Sequence, residues 1–571
     1  MTILTRSGYA LPGTSLNFKT GSWRVQIPVH QHHAAPCHSA CPAGEDAQAY
    51  IAHVQAGHLQ LAWETLVAAN PLPAITGRVC PHPCESACNR AEYDQPIAIH
   101  AIERFLGDQA IENNWAYPIL RRPTADAPQI AIVGAGPAGL SAAYHLARRG
   151  YQVTLFDESP EAGGTLRTAL PPFRLPRSTL DAEIDRLLNL DGIRFVPHTR
   201  LGRDISLSEL ENQFRAVFLA PGTQRSQAWS IDGAVPSDLS YGLDLLKEWI
   251  ALEKLPSLHS VAVVGAGNTA VDIARVLKRA GVAEVHLISH KPIPKPGIPA
   301  SEAMPAIQRE VEEALEEGVI IHEYRGIRRL ILRGEKVVGV EMVRMKKLAQ
   351  SSGHLKRIAF EGTETLLKVD QVIPAVGQTI APLGFEHLLS HRSGLNINEW
   401  GQILNENQVA SERLFAGGDA TGKAGTVTAA VGHGSRAAVA IDAVLRQETL
   451  TSPAKQVSLQ FSQLNLNYYE HHPRVTEHAL PVVQRQGNEE IIATLSAPQV
   501  TQESQRCFSC GNCLACDNCW TLCPDSAVLK TADLAVDGSH YQFDYDYCKG
   551  CGLCAHECPC GFIVMKDETG L

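Results

Sequence analysis

Cysteine is missing from the 418 residues between Asn89 and Arg506, although the chain of 571 residues holds sixteen. Five lie between Cys37 and Cys88 and eleven between Cys507 and Cys560, which points to two metal-binding regions rather than a disulfide framework. No stretch approaches the roughly 18 uninterrupted apolar residues of a membrane span. The opening, MTILTRSGYALPGTSLNFKTGSW, lacks the apolar block of a secretory leader, so cytoplasmic residence is the expectation. Positive charge is not in excess either. A formal net charge of −10 argues against general nucleic-acid affinity and suits an enzyme that docks protein partners or holds anionic cofactors. With 44% hydrophobic and 19% charged residues, the composition is that of a folded globular chain long enough for three or four domains.

Near the C-terminus, CGNCLACDNCWTLCP starts at Cys510 and CKGCGLCAHECPCG starts at Cys548. Cys513, Cys516, Cys519 and Cys523 before Pro524 have the spacing C-x2-C-x2-C-x3-C-P, and Cys548, Cys551, Cys554 and Cys558 before Pro559 repeat it. This is the spacing of a two-cluster ferredoxin. Three thiolates of one loop hold one [4Fe–4S] cube, and the fourth cysteine, turned away by proline, reaches the other. The expected sets are Cys513, Cys516, Cys519 with Cys558, and Cys548, Cys551, Cys554 with Cys523. Zinc would use two separated pairs instead. Cys507, Cys510 and Cys560 exceed the need of two cubes; they are free or structural thiols, or Cys507-x2-Cys510 competes for iron in a shifted register.

The cysteine-free middle carries two glycine-rich turns. QIAIVGAGPAGLSAAYHLARRGYQVTLFDE reads as strand, turn, helix and strand, with Gly134, Gly136 and Gly139 in a dinucleotide fingerprint and Asp157 and Glu158 ending the second strand. Gly134 permits the tight turn, Gly136 lets backbone N–H groups approach a pyrophosphate, Gly139 lets helix pack on strand, and an acid takes ribose hydroxyls. SVAVVGAGNTAVDIARVLKRAGVAEVHLISHK repeats the unit, with Gly265, Gly267, Asn268, Thr269 and Ala270 in its turn. Two bound dinucleotides suggest hydride transfer between them. FLAPGT and VIPAVGQT read most plainly as solvent-facing loops after strands. LFAGGDATG suits a helix start with Gly418 and with Asp419 placed toward a ribitol or phosphate-side hydroxyl.

With GGTLRTALPPFRLP, SEAMPA and AGGDATG added to the two fingerprints, residues 36 to 450 resemble the small subunit of bacterial glutamate synthase and its relatives, within the two-dinucleotide flavoproteins. The resemblance implies FAD on the first fingerprint and NAD(H) or NADP(H) on the second, the latter inserted in a discontinuous FAD domain. It implies that Asp157 or Glu158 meets the adenosine ribose, that Gly164 and Arg167 lie on the flavin side, and that Asp419, Thr426 and Val427 close over ribitol and ring. NADPH-using relatives carry an arginine pair where this chain has Ser289, His290 and Lys291. Lysine and histidine hold a 2′-phosphate less specifically than arginine forks, so NADH is favoured.

CHSACPAGEDAQAYI and GRVCPHPCESACNRAE supply Cys37, Cys41, Cys80, Cys84 and Cys88, a pattern that resembles the same family's N-terminal helical iron–sulfur domain. That family has a further upstream cysteine pair, where this chain has PVHQHHAAPC. By the resemblance Cys41, Cys80 and Cys84 share one cube with Glu103, and Cys37 and Cys88 are left over or one of them replaces Glu103. Glu103 reads equally well as a solvated helix carboxylate, and His30, His32 and His33 as a flexible polar segment.

The expected architecture is α/β, with two Rossmann-like dinucleotide-binding domains, an N-terminal α-helical iron–sulfur domain and a C-terminal α+β ferredoxin-like domain. Its divisions are 1–120 (helical iron–sulfur), 121–257 and 381–450 (FAD), 258–380 (NAD(P)), 451–500 (polar connector) and 501–571 (ferredoxin). Nicotinamide delivers two electrons and a [4Fe–4S] cube takes one, so FAD must stand between them. No catalytic acid, base or nucleophile is required. The C-terminal module resembles the ferredoxin-like subunit of 2-oxoacid:acceptor oxidoreductases. That implies an electron-transfer subunit of a larger 2-oxoacid (phenylglyoxylate-type) or aldehyde oxidoreductase, partnered by other subunits or a ferredoxin-type carrier. The alternatives are a reductase subunit for a glutamate synthase or sulfite-reductase-type partner and, in another class, a non-catalytic ferredoxin-like scaffold.

Overall fold

The computed structural model describes residues 19–231, 239–252, 255, 257–295, 297–349, 355–381, 384–389, 394–422, 425–450, 457–485, 487–532 and 539–568. The first 18 residues, on which the absence of a leader was read, lie outside them.

The first glycine fingerprint belongs to a six-stranded sheet. Its strand order is Gln402–Leu404, Ala410–Ala416, Ala216–Leu219, Gln129–Val133, Gln152–Phe156 and Ile193–Val196, parallel except for the Gln402–Leu404 edge. Gln129–Val133 is buried from Ile130 onward, because helices cover both faces of a parallel sheet and leave no polar alternation. Pro137–Ala147 and the long Val427–Arg446 pack closely on one another: a Cβ on Gly434 would lie 2.2 Å from the Ala138 carbonyl. The second fingerprint belongs to a four-stranded parallel sheet ordered Gln371–Pro374, Ser260–Val264, Glu284–Ile288 and Ile320–His322. Beside it stands an antiparallel sheet of Arg325–Arg333, Lys336–Ala349 and Leu355–Leu367.

The N-terminal unit is helical, built on Ala47–Gln55, Leu59–Val67, Pro73–Val79 and Ile99–Glu112 around the fully buried Trp63, Tyr50 and Leu66. The cysteine-rich C-terminus holds the short helices Asn518–Thr521 and Leu553–His556 and the hairpin Val528–Lys530 with Tyr541–Phe543. Its last strand, Ile563–Asp567, pairs antiparallel with Gln26–His30, Val29 opposite Val564.

The polar segment expected as a connector is fastened along the helical unit. Tyr93 donates to the Tyr469 carbonyl at 2.6 Å, Arg474 to Glu85 at 2.7 Å, and Arg78 to Glu490 at 2.8 Å. Among the described residues no helix is long and apolar enough to cross a membrane.

Candidate functional site

The two fingerprints repeat one construction. Gly134, at φ +102°, leaves no room for a side chain, since a Cβ there would lie 2.2 Å from the Ala220 carbonyl. A Cβ on Gly265 would lie 2.5 Å from the Ala375 carbonyl. In each case the carbonyl follows the neighbouring parallel strand. The second glycines differ in kind. A Cβ on Gly136 would meet nothing nearer than Gly164 Cα at 4.0 Å, and one on Gly267 nothing within 4 Å. Both glycines cap helices, Pro137–Ala147 and Asn268–Arg279, whose unpaired N–H groups therefore face open space suited to a pyrophosphate. Gly139 packs helix on strand, with a Cβ position only 1.9 Å from the Gly134 carbonyl, while Ala270 in the second unit is fully buried.

One cleft of about 1180 Å³ is walled by Gly134, Gly136, Asp157, Gly164, Gly418, Asp419, Thr426 and Val427. An adjoining one of about 700 Å³ adds Glu158 and Arg200. Both follow the first fingerprint turn and the end of its second strand, where a dinucleotide lies in folds of this kind. Asp157 accepts N–H bonds from Ala135 at 2.6 Å and Ser159 at 2.8 Å, which ties the fingerprint turn to the end of the second strand. Glu158 pairs with Arg200 at 3.3 Å. Thr426 caps the Val427–Arg446 helix through Ala429 N–H, and Asp419 accepts from Gly425 N–H at 2.8 Å. Arg167 is the exception. It pairs with Asp181 at 2.6 Å and Glu161 at 3.0 Å and is not among the residues walling the cleft, because the neighbouring carboxylates capture its guanidinium.

A third cleft, of about 2000 Å³, is walled by Gly265, Gly267, Asn268, Thr269, His290 and Lys291. Arg325 and Arg357 join it from the antiparallel sheet, a basic contribution that the sequence around Lys291 did not announce. Burial, followed by Arg357, Lys291 and Lys347, lowers the His290 pKa to about 4, so this imidazole is neutral among cations.

The clefts meet. Thr223, Asn268, Thr269, Gln378, Asp419 and Gly425 line both the first and the third. Thr223 donates to Gln378 at 3.1 Å, and the Gln378 amide reaches Thr269 at 3.4 Å. FLAPGT and VIPAVGQT are therefore not the solvent-facing loops expected: Gln378–Thr379, which end VIPAVGQT, pair with Arg225–Ser226, which follow FLAPGT, across the seam.

On its other side the first cleft touches the N-terminal thiols, through Val79 and Pro81 on either side of Cys80. Buried Thr428 faces the Cys80 thiol. Cys41, Cys80 and Cys84 gather with Glu103, which is buried and not a solvated carboxylate. Glu103 accepts from the Thr76 hydroxyl and from Asn70 at 3.1 Å, and Asn70 also donates to Glu45 at 2.8 Å. Sequence reasoning missed Glu45 and Asn70. Burial pushes Glu45 up to about 7 and the Cys80 thiol up to about 12, Glu103 adding to the latter. A cationic iron–sulfur core would relieve this crowding of acids and thiols, so the residues fit the group. Cys37 and Cys88 stand apart from this set.

In the C-terminal module Cys523, Cys548, Cys551 and Cys554 line one cavity. Cys516 and Cys519 lie beside Cys513 and Cys558. The fourth cysteine of each run is thus drawn to the other run's loop.

These are the features of a flavin- and nicotinamide-dependent oxidoreductase carrying [4Fe–4S] centres. Residues 128–434 match the pyridine nucleotide-disulphide oxidoreductase family, to which the chain belongs. Residues 30–115 match the dihydropyrimidine dehydrogenase domain II, 4Fe-4S cluster, and residues 541–564 the 4Fe-4S binding domain. The chain is 34% identical over 523 residues to NADP(+)-dependent formate dehydrogenase subunit beta of Moorella thermoacetica, covering 83% of this chain and 70% of that protein. It is 34% identical over 458 residues to NADPH-Fe(3+) oxidoreductase subunit beta of Geobacter sulfurreducens, covering 74% and 66%. It is 30% identical over 553 residues to the putative oxidoreductase YgfK of Escherichia coli O157:H7, covering 95% of this chain but about half (49%) of that protein. The chain is an FAD- and iron–sulfur-dependent NAD(P)H oxidoreductase.

Proposed function

We propose that this chain is the electron-transfer subunit of a larger oxidoreductase, exchanging electrons between NADP(H) and a partner that carries the substrate site. The observation that carries the reading is the seam: one wall, Thr223, Asn268, Thr269, Gln378 and Asp419, serves both dinucleotide clefts, while Val79 and Pro81 bring Cys80 to the far side of the first. FAD, when bound, converts between the two-electron chemistry of nicotinamide and the one-electron chemistry of iron–sulfur centres. The chain's own residues orient. The helix starts at Gly136 and Gly267 hold phosphates, and the Thr223–Gln378–Thr269 bonds fix the seam.

The cofactor choice proposed here reverses the expectation of NADH. Lys291, Arg325 and Arg357 line the third cleft together, a density of positive charge that a 2′-phosphate satisfies and a bare ribose does not. The partner belongs to the class that oxidises small acids or aldehydes. One relative is named as the beta subunit of a formate dehydrogenase, and the C-terminal module's resemblance to 2-oxoacid oxidoreductase ferredoxin subunits supports the same class; the Fe(3+) oxidoreductase relative, also a beta subunit, supports only a multi-subunit assembly.

The test is reduction of the purified full chain by NADPH and by NADH, followed by co-purification from the native host. Bleaching of flavin and cluster absorbance by NADPH at a markedly higher kcat/KM, together with a substrate-oxidising subunit that reduces the same centres, supports the reading. Purification as a lone chain that NADH reduces equally well sinks it.

A further inference from the structure

Cys507 and Cys510, surplus to the ferredoxin spacing, lie beside the N-terminal thiols left unassigned above. The contacts come from both sides of each segment. Asn89, next to Cys88, extends its side-chain amide to Cys510 Sγ at 3.5 Å and to the Leu459 carbonyl at 3.2 Å. Arg90 donates to the Arg506 carbonyl at 2.6 Å and stacks its guanidinium 4.8 Å from the Phe508 ring centre. Gln48 donates to the Ser509 hydroxyl at 2.8 Å, buried. Cys37 packs against the apolar cluster that contains Cys510, Phe508 and Leu459. Cys507, Cys88 and Cys510 are the neighbouring thiols that burial-raised Cys37 senses, and Cys507 in turn senses Cys510 and Cys88.

We infer that Cys37, Cys88, Cys507 and Cys510 are the four ligands of one further [4Fe–4S] cluster, closed by thiols from the two ends of the chain.

Three alternatives fit less well. No disulfide joins any of the sixteen cysteines. A single zinc ion would draw its sulfurs to within about 3.8 Å of one another, as its bond length of about 2.3 Å requires. Among the described residues no three Cys, His, Asp or Glu side chains converge in that way. Structural thiols gain less than thiolates do from N–H donors at sulfur. Yet Ser509 N–H points to Cys507 Sγ at 3.4 Å, just as His82 N–H points to Cys80 at 3.3 Å and Ala527 N–H to Cys523 at 3.3 Å. Such bonds favour thiolate, the form that binds iron and whose hydrogen bonds tune a cluster's potential. The count also closes. Eight cysteines serve the ferredoxin pair, three stand with Glu103, four stand here, and Cys560 alone remains.

The position gives the cluster its use. Tyr469 packs against the apolar cluster of Cys510 and Phe508 and has Cys507, Cys510, Cys558 and Cys560 all as neighbours, so the inferred site adjoins the ferredoxin pair as well as the N-terminal unit.

The inference rests on the iron–sulfur reading of the N-terminal unit, and iron counts separate the two. The full chain, purified without oxygen, is expected to hold about sixteen irons; about eight would sink the N-terminal reading as a whole. The paired variants Cys507→Ser with Cys510→Ser, and Cys37→Ser with Cys88→Ser, are each expected to hold about twelve with FAD retained, and to lose the same signal from the reduced-state EPR spectrum. The decisive chain carries all four substitutions: about twelve irons again means one shared cluster, and about eight means two different ones and overturns the inference. Unchanged iron in either pair overturns it as well. Should these variants not fold, the wild-type chain stripped of iron is treated with a short thiol cross-linker and mapped. Links from Cys37 or Cys88 to Cys507 or Cys510 support the site, and links from Cys507 and Cys510 only to the Cys513–Cys523 run refute it.

Discussion

The Arg174 guanidinium grips the Asp272 carboxylate at 2.8 and 3.0 Å, joining the FAD unit to the second fingerprint helix, and its Nε lies 3.0 Å from Glu310. All three groups are buried. Replacing Arg174 by Ala leaves the buried Asp272 carboxylate without its partner, while Glu310 keeps Arg275, a loss of about 3 kcal/mol. The unfolding midpoint in denaturant should fall accordingly, and reduction of bound FAD by NADPH should slow because the two clefts lose a shared anchor. Wild-type stability in this variant would show that the two units are held together elsewhere.

Gly136 and Gly139 separate binding from folding. A valine at Gly136 points into open space, so the Gly136→Val chain should carry no FAD after purification yet unfold at the temperature of the wild-type chain stripped of FAD. Gly139→Ala drives a methyl against the Gly134 carbonyl and should cost about 1–3 kcal/mol of stability by thermal or denaturant unfolding. Flavin absorbance and an unfolding curve on each variant check both halves.

Lys291 and Arg357 are expected to set the nicotinamide preference. Charge-assisted hydrogen bonds are worth about 1.5–3 kcal/mol each. Lys291→Ala or Arg357→Ala should therefore lower kcat/KM for NADPH by roughly 10- to 100-fold while leaving NADH almost unchanged. Steady-state rates with an artificial dye measure this without the partner.

His100 bridges Glu85 and Glu477, at 2.6 Å from each, and so pins the 470s segment to the helical unit. Burial opposes its charge, but the two carboxylates outweigh burial and hold its pKa above the ordinary 6.5. A histidine raised in the folded state contributes stability that is fully present below about pH 6.5 and is lost as pH rises through the folded value. Amide exchange around Glu477, corrected for intrinsic rates, should speed up as pH is raised from about 6 to about 9. His100→Gln should flatten that dependence.

What the sequence disclosed was local. Gly134, Gly136 and Gly139 fall within six positions, and the ferredoxin cysteines fall within two short loops, so spacing alone defines the turn and the ligand geometry. The missing parts were assembled from afar. Arg325 and Arg357 reach the third cleft from a sheet that no fingerprint announces, and Asn70 joins Glu45 to Glu103 from a turn between two helices. Cys510 meets the neighbour of Cys88 over 421 positions. No periodicity encodes a contact of that kind. Arg167 shows the converse, since the motif around it is legible but the pull of Glu161 and Asp181 on its side chain is not.

The pairing of Gln26–His30 with Ile563–Asp567 imposes an order in time. At about 5–20 residues per second, roughly half a minute to two minutes of synthesis separate the two strands. Throughout that interval the early strand presents an unsatisfied edge, a template for wrong partners. The proposed set of Cys41, Cys80, Cys84 and Glu103 is complete once residue 103 has been made, whereas any centre drawing on Cys507 or Cys510 must wait for those residues as well. A stop codon that removes only the last strand would therefore leave the first and third clefts whole while depriving Gln26–His30 of its partner, and such a product should be reducible by NADPH yet prone to aggregate through that exposed strand.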